Sequence, residues 1–174
     1  MMIRESKNSE LEAICALHFE AFGEPEGEII THLVREILND ESAKPLLSLV
    51  AEEEGKIVGH IIFSSLTVEG TEEISAYILA PLAVSKNKQK QGLGTQLITT
   101  GIDELKSRGA EVVFVYGDPN YYNRTGFVTG HHVAAPYELE YPEAWMAQEL
   151  KANKLSGLKG IATCCSSLMN RKYW

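Results

Sequence analysis

A chain of 174 residues with 44% apolar content is long enough for one domain, residues 1–174, that buries roughly two thirds of its unfolded surface. Its formal net charge of -8 argues against a nucleic-acid partner, and no run reaches the ~18 apolar residues of a membrane span, so a soluble, cytoplasmic protein is expected. The start, MMIRESKNSE, lacks the apolar core of a secretory signal, and Cys15, Cys164 and Cys165 sit at no metal-ligand spacing, which makes them buried, reduced thiols.

Residues Ile3 to Glu5 read as a short strand. Leu11, Ile14, Cys15, His18 and Phe22 then fall on one face of a helix that Asn8 or Ser9 could cap. After the break at Gly23-Glu24-Pro25, Ile29, Ile30, Leu33, Ile37 and Leu38 mark a second amphipathic helix that runs down at Asn39-Asp40. LLSLVAEEEGKIVGHIIFSSLTVEG holds two β-rich runs about a short turn at Glu53 to Lys56, a hairpin pattern. Ile74 to Val84 is apolar enough for a central strand, but Pro81 cannot donate to a ladder and predicts a bulge or a splayed edge. Leu97, Ile98, Ile102 and Leu105 fit a helix ending near Arg108-Gly109, and Val112 to Tyr116 a buried strand. PNYYNRTGF predicts a short helix closed by Gly126, Trp145 to Leu150 a helical turn, and Ile161 to Leu168 a last strand.

Between the strand at Leu82 and the helix at Leu97 lies VSKNKQKQGLGTQL, the only long basic run in an acidic chain. A strand that feeds a glycine-rich turn and opens a helix aims unpaired N–H groups and the positive end of the helix dipole at one spot, which suits phosphate. A plain tight turn is the alternative. No Gly-Lys-Ser/Thr follows the glycines, which excludes a nucleotide P-loop, and Leu97 stands where a dinucleotide fingerprint needs its third glycine.

The pattern Gln89-x-x-Gly92-x-Gly94 after Leu82-Ala83-Val84 resembles the acyl-coenzyme A loop of the GNAT superfamily of N-acetyltransferases. The order of elements from Ile3 to about Phe127 is similar to that family's, and GDPNYYNRTGF is similar to its segment after the fifth strand, with Tyr122 four residues before Gly126. Residues 137 to 174 resemble the carboxy-terminal extension of a bacterial subgroup. The resemblance implies an α/β (α+β) fold: a mixed, mostly antiparallel sheet with a splayed central strand pair and flanking helices. It also implies acetyl-CoA as cosubstrate, with main-chain groups of Leu82, Ala83 and Val84 on the pantetheine arm. The amides of Lys90, Gln91, Gly92, Leu93, Gly94 and Thr95 would hold the pyrophosphate, and Gln89 could brace the loop or donate to an oxygen. Lys86 and Lys88 depart from the commonest family pattern and, with Lys90, make the loop more basic; ribose-phosphate contacts or a merely solvated loop both account for them.

Acetyl transfer to an amine needs a neutral amine, a polarised thioester carbonyl and a proton for the leaving thiolate. The resemblance implies that Tyr122 supplies that proton. Glu52, His60, Glu73, His131 or ordered water could act as general base, while an isolated strand histidine such as His60 is more often structural and His131 and His132 read as turn or surface residues. Cys164 and Cys165 carry no nucleophile motif. The expected activity is transfer of an acetyl group from acetyl-CoA to a primary amine of a small molecule or protein, without metal; a non-catalytic acyl-CoA-binding sensor is the alternative. A homodimer is compatible with the sequence.

Overall fold

The computed structural model describes residues 1–174. Its elements run β1 (Met2–Glu5), α1 (Leu11–Phe22), α2 (Glu26–Leu38), β2 (Leu47–Glu53), β3 (Lys56–Val68), β4 (Ala76–Val84), α3 (Leu93–Ser107), β5 (Val112–Tyr116), α4 (Pro119–Tyr122), β6 (His132–Ala134), β7 (Trp145–Glu149) and β8 (Lys159–Cys164). The main sheet has the order β1-β2-β3-β4-β5-β7 and is antiparallel except at β4–β5. No helix is long and apolar enough to cross a membrane.

Strand periodicity divides the apolar residues between two cores, one on each face of the sheet. In β4 and β5, Ala76, Ile78, Val112 and Phe114 face α1 and α2, while Tyr77, Leu79, Val113 and Val115 face α3. Helix α1 contributes Ile14 and Cys15 to the first core, and α3 contributes Leu97, Ile98, Ile102 and Leu105 to the second. No Asn8 or Ser9 side chain caps α1. A single 3-10 turn precedes the helix instead, and the Glu10 carboxylate reaches back to accept the Lys7 N–H at 2.8 Å.

The C-terminal segment is woven into the same sheet. Trp145 to Glu149 form strand β7, antiparallel to β5 from Tyr116↔Trp145 to Val112↔Glu149, and not the expected helical turn. Trp145 and Ala147 enter one core and Met146 the other, so both faces are covered and the alternation that marks a strand is absent. Strand β8 stops at Cys164, short of the expected Leu168, and a 3-10 turn over Ser166–Met169 follows. It pairs with Leu66 to Val68 of β3, just past the point where β2 leaves that edge at Leu47↔Phe63, and it pairs in parallel with β6. Asp40, after α2, fastens this segment by accepting from the N–H and hydroxyl of Ser167 at 3.0 and 2.7 Å.

Candidate active site

β4 and β5 part in the middle of the sheet. Their pairing joins Ala76, Tyr77 and Ile78 to Val112, Val113 and Phe114 and then ends. The β3–β4 register shifts where Ala80 and Pro81 bulge, and beyond it Leu82, Ala83 and Val84 still pair with β3 but face a gap on the other side. Main-chain groups on that open edge need partners from elsewhere. This is the splay that Pro81 predicts.

The loop after β4 is braced by its own amides. Gln89 Nε2 donates to the Val84 carbonyl at 3.0 Å, and Gln91 Nε2 to the Asn87 carbonyl at 3.0 Å. Gly92 caps α3 with φ 85°, a left-handed conformation that glycine adopts without strain. The first α3 amide with an acceptor at this end is Gln96, which donates to the Gly92 carbonyl at 3.0 Å. The N–H groups of Leu93, Gly94 and Thr95 therefore have no acceptor within the helix. Gly94 answers to a different constraint from Gly92: a Cβ there would collide with the Tyr121 hydroxyl.

A groove of about 610 Å³ runs over this helix end. Of the residues expected from sequence, Leu82, Val84, Gln89, Lys90, Gly92, Leu93, Gly94 and Thr95 line it. Ala83 and Gln91 do not: Ala83 is buried with its side chain on the other pleat, and Gln91 serves the loop. Of the three lysines, Lys88 and Lys90 reach the wall, Lys88 while ion-paired with Glu53, and Lys86 stays outside. Tyr121 and Arg124 also line the groove, the guanidinium lying 4.8 Å over the Tyr121 ring. Sequence reasoning missed both; an aromatic pair followed by Arg124 within one turn was the available signal.

On the other side of the gap a second cavity of about 360 Å³ opens between α1, α2, β4, β5 and the C-terminal residues. Leu82 and Tyr122 line both cavities, so the two meet at the splay. Tyr122 is placed there by α4, whose first turn is capped by the Asp118 carboxylate accepting from Asn120 N–H at 3.0 Å, while the Asp118 carbonyl accepts from the Tyr121 and Tyr122 amides. Edge-on contacts with Tyr121 and Phe127 fix the ring. Burial, reinforced by Tyr121, pushes the Tyr122 hydroxyl well above the ordinary tyrosine value, so it is protonated at neutral pH.

None of the four expected base candidates lines either cavity. His60 is fully buried, held between His18 and Ser48 at 2.8 Å each, and its basicity is depressed by burial and by His18. Glu52 accepts from Arg4 at 3.1 and 2.6 Å, and Glu73 lies exposed before β4. His131 is half-buried: Nε2 donates to the Trp145 carbonyl at 3.0 Å and Nδ1 accepts from Val133 N–H at 3.2 Å, which occupies both nitrogens. Asp118 is the one carboxylate side chain in the second cavity's wall. Cys164 and Cys165 are buried, and burial raises both thiols away from the thiolate form.

Residues 2–130 match the acetyltransferase (GNAT) domain family. The chain is 43% identical over 138 residues, 76% of each sequence, to the uncharacterized N-acetyltransferase YjhQ of Escherichia coli K12. It is similar over 96% of its length to the crystal structure of the N-acetyltransferase YhbS from Escherichia coli in complex with CoA, with a TM-score of 0.87, 28% identity and 91% of that chain covered. A Brucella melitensis GNAT family acetyltransferase in complex with acetyl-CoA aligns with a TM-score of 0.76 and 25% identity, over 96% of this chain and 97% of that one. The chain thus belongs to the GNAT acetyltransferase family and is an acyltransferase.

Proposed function

We propose that the protein moves an acetyl group from acetyl-CoA directly to a primary amine, with the thioester at the splay between β4 and β5. The observation that carries this reading is the meeting of two cavities at Leu82 and Tyr122, one polar and cationic, the other apolar. Unpartnered amides at the start of α3, with Lys90 and Arg124 beside them, fit a pyrophosphate, and the open edge of Leu82 to Val84 fits a chain of amides laid along it as a further strand. Acetyl-CoA supplies the activated acyl group; the protein holds it against the amine and so gains rate from proximity. A main-chain N–H of Leu82 or Val84 polarises the carbonyl, the neutral amine attacks it and the C–S bond breaks; the Tyr122 hydroxyl protonates the departing sulfur and is restored by the proton that the amine nitrogen loses.

The test is calorimetry with acetyl-CoA, followed by thiol release in the presence of a panel of primary amines. Expected are saturable binding and release that depends on the amine. Tight binding without release for any amine would leave a cofactor-sensing module in place of an enzyme, and absence of binding would remove the site assignment altogether.

A further inference from the structure

The wall of the second cavity is selective in its chemistry. Resting on the acetyltransferase reading above, we propose that the acceptor is a monoamine carried on a flat aromatic or comparably bulky apolar body, with Asp118 facing its ammonium and the ring of Trp174 packing on its body. Of the sixteen residues lining this cavity, thirteen are hydrophobic, and Asp118 is the only one with a carboxylate side chain. Rings from distant parts of the chain converge there: Phe22 at the end of α1, Tyr116 at the end of β5, and Trp174. Trp174 is fixed by its indole N–H, which donates to the Leu168 carbonyl at 2.7 Å, and it stacks on Tyr116 with centroids 6.0 Å apart. The indole's one polar atom is thereby consumed.

Such a wall discriminates by cost. One ammonium finds one carboxylate. A polyamine or an amino sugar would bring more charges and hydroxyls than Asp118 and the three tyrosine hydroxyls of this wall can partner, and burying a polar group without a hydrogen bond is unfavourable. The entrance points the same way. An adjoining cavity of about 460 Å³ shares Asp118 and Trp174 with this second cavity and adds Glu140 and Glu143 against a single Lys172, so the rim is net negative. That rim draws in a cationic amine and disfavours acceptors that carry a carboxylate, free amino acids among them.

The experiment compares 2-phenylethylamine, spermidine and free phenylalanine as acceptors at saturating acetyl-CoA. Expected is a kcat/KM for 2-phenylethylamine at least about tenfold above either other amine, a difference of about 1.4 kcal/mol. Trp174→Ala should erase that preference through KM while the acetyl-CoA dissociation constant is unchanged, and Trp174→Phe, which retains a flat ring, should keep it. Asp118→Asn preserves the helix cap, since Asn and Asp cap equally well, and should raise KM for the amine about tenfold or more, the scale of a lost charge-assisted hydrogen bond. Equal or better turnover of spermidine or phenylalanine, or a preference that survives Trp174→Ala, overturns the proposal while leaving the acetyltransferase reading intact. If no amine is turned over, tryptophan fluorescence decides: a saturable change with 2-phenylethylamine and none with spermidine upholds the cavity's selectivity while the catalytic reading falls, and no change with 2-phenylethylamine ends both.

Discussion

His18 and His60, forty-two residues apart in sequence, meet edge to edge inside the protein with Nε2 of His18 2.8 Å from Nδ1 of His60. His60 Nε2 lies 2.8 Å from the Ser48 hydroxyl, which lies 2.7 Å from that of Ser6, so a buried polar chain ties α1 to β3, β2 and the segment after β1. Nδ1 of His18 has no partner. The arrangement that costs least leaves that atom a bare acceptor, with His18 Nε2–H donating to His60 and His60 Nε2–H donating to Ser48, because an unmet donor is the rarer and costlier case. A second proton on His60 would set two N–H groups against each other.

That chain makes stability depend on pH in a definite direction. Burial holds His18 down to about 4, and burial together with His18 holds His60 well below its ordinary value of 6.5. Both bind protons more readily in the unfolded chain, so stability is full above about pH 6.5 and falls as the pH drops toward 4. For His18 alone the loss approaches roughly 3 kcal/mol below pH 4, since each pKa unit is worth about 1.4 kcal/mol. Urea midpoints at pH 7.5 and 5 should show the decline, and a His18→Leu/His60→Leu variant should show a flatter profile over that window. A wild-type midpoint that is constant down to pH 5 contradicts the assignment.

Gly94 and Tyr121 give a second prediction. A methyl group at Gly94 would strike the Tyr121 hydroxyl, whereas the next ring atom, Cζ, stands 3.4 Å away, an ordinary contact. Gly94→Ala should weaken acetyl-CoA binding about tenfold or more by displacing a ring from the groove wall, even though alanine suits a helix better than glycine by about 1 kcal/mol. Adding Tyr121→Phe removes the colliding oxygen and should restore most of the affinity. Calorimetry on the single and double variants checks this; an affinity that stays low in the double variant places the fault in the main chain.

The basic loop yields a third. Lys90 and Arg124 line the groove without a carboxylate partner among its wall residues, Lys88 is tied to Glu53, and Lys86 stands outside. Exposed charges are screened over ~10 Å at 0.1 M salt, so the affinity for a highly anionic cosubstrate should fall as salt rises. Lys90→Gln and Arg124→Gln should each weaken binding and flatten that dependence, and Lys86→Gln should do neither. Parallel salt curves for all three variants and the wild type would make the loop a solvated surface.

Much of this was legible from local pattern. Period-3.6 apolar residues mark α1, α2 and α3, Pro81 marks the bulge, and the glycine-rich turn marks the opening of α3, because each is decided within a few residues. What escaped depends on contacts distant in sequence. β7 is covered on both faces and loses its alternation; β6 has three residues and exists only because β8 lies beside it. The four base candidates were chosen by residue type; His60, Glu52 and His131 proved to be held by partners that local pattern does not reveal, and Glu73 lies exposed. The second cavity takes walls from Phe22, Tyr116 and Trp174, which no spacing rule connects.

Tyr122 carries the prediction on which the chemical step depends. Its ring lines both cavities at the splay, its hydroxyl is kept protonated by burial, and the neighbouring Tyr121 lines the first groove alone. Removing a positioned acid typically lowers the rate by roughly 10² to 10⁴ while sparing ground-state contacts, so Tyr122→Phe should lower kcat with little change in the acetyl-CoA dissociation constant. Phenylalanine retains the edge-on packing against Tyr121 and Phe127, which leaves the melting temperature near that of the wild type. Tyr121→Phe, by contrast, should leave kcat near that of the wild type, since that ring lines only the first groove. Because the Tyr122 hydroxyl is held above its ordinary value, wild-type kcat should show no loss from tyrosine ionisation up to at least pH 9, and the residual rate of Tyr122→Phe should share that plateau. A purely structural tyrosine predicts a lower melting temperature with normal kcat in the folded fraction, and full turnover by a stable Tyr122→Phe protein would take this residue out of the mechanism.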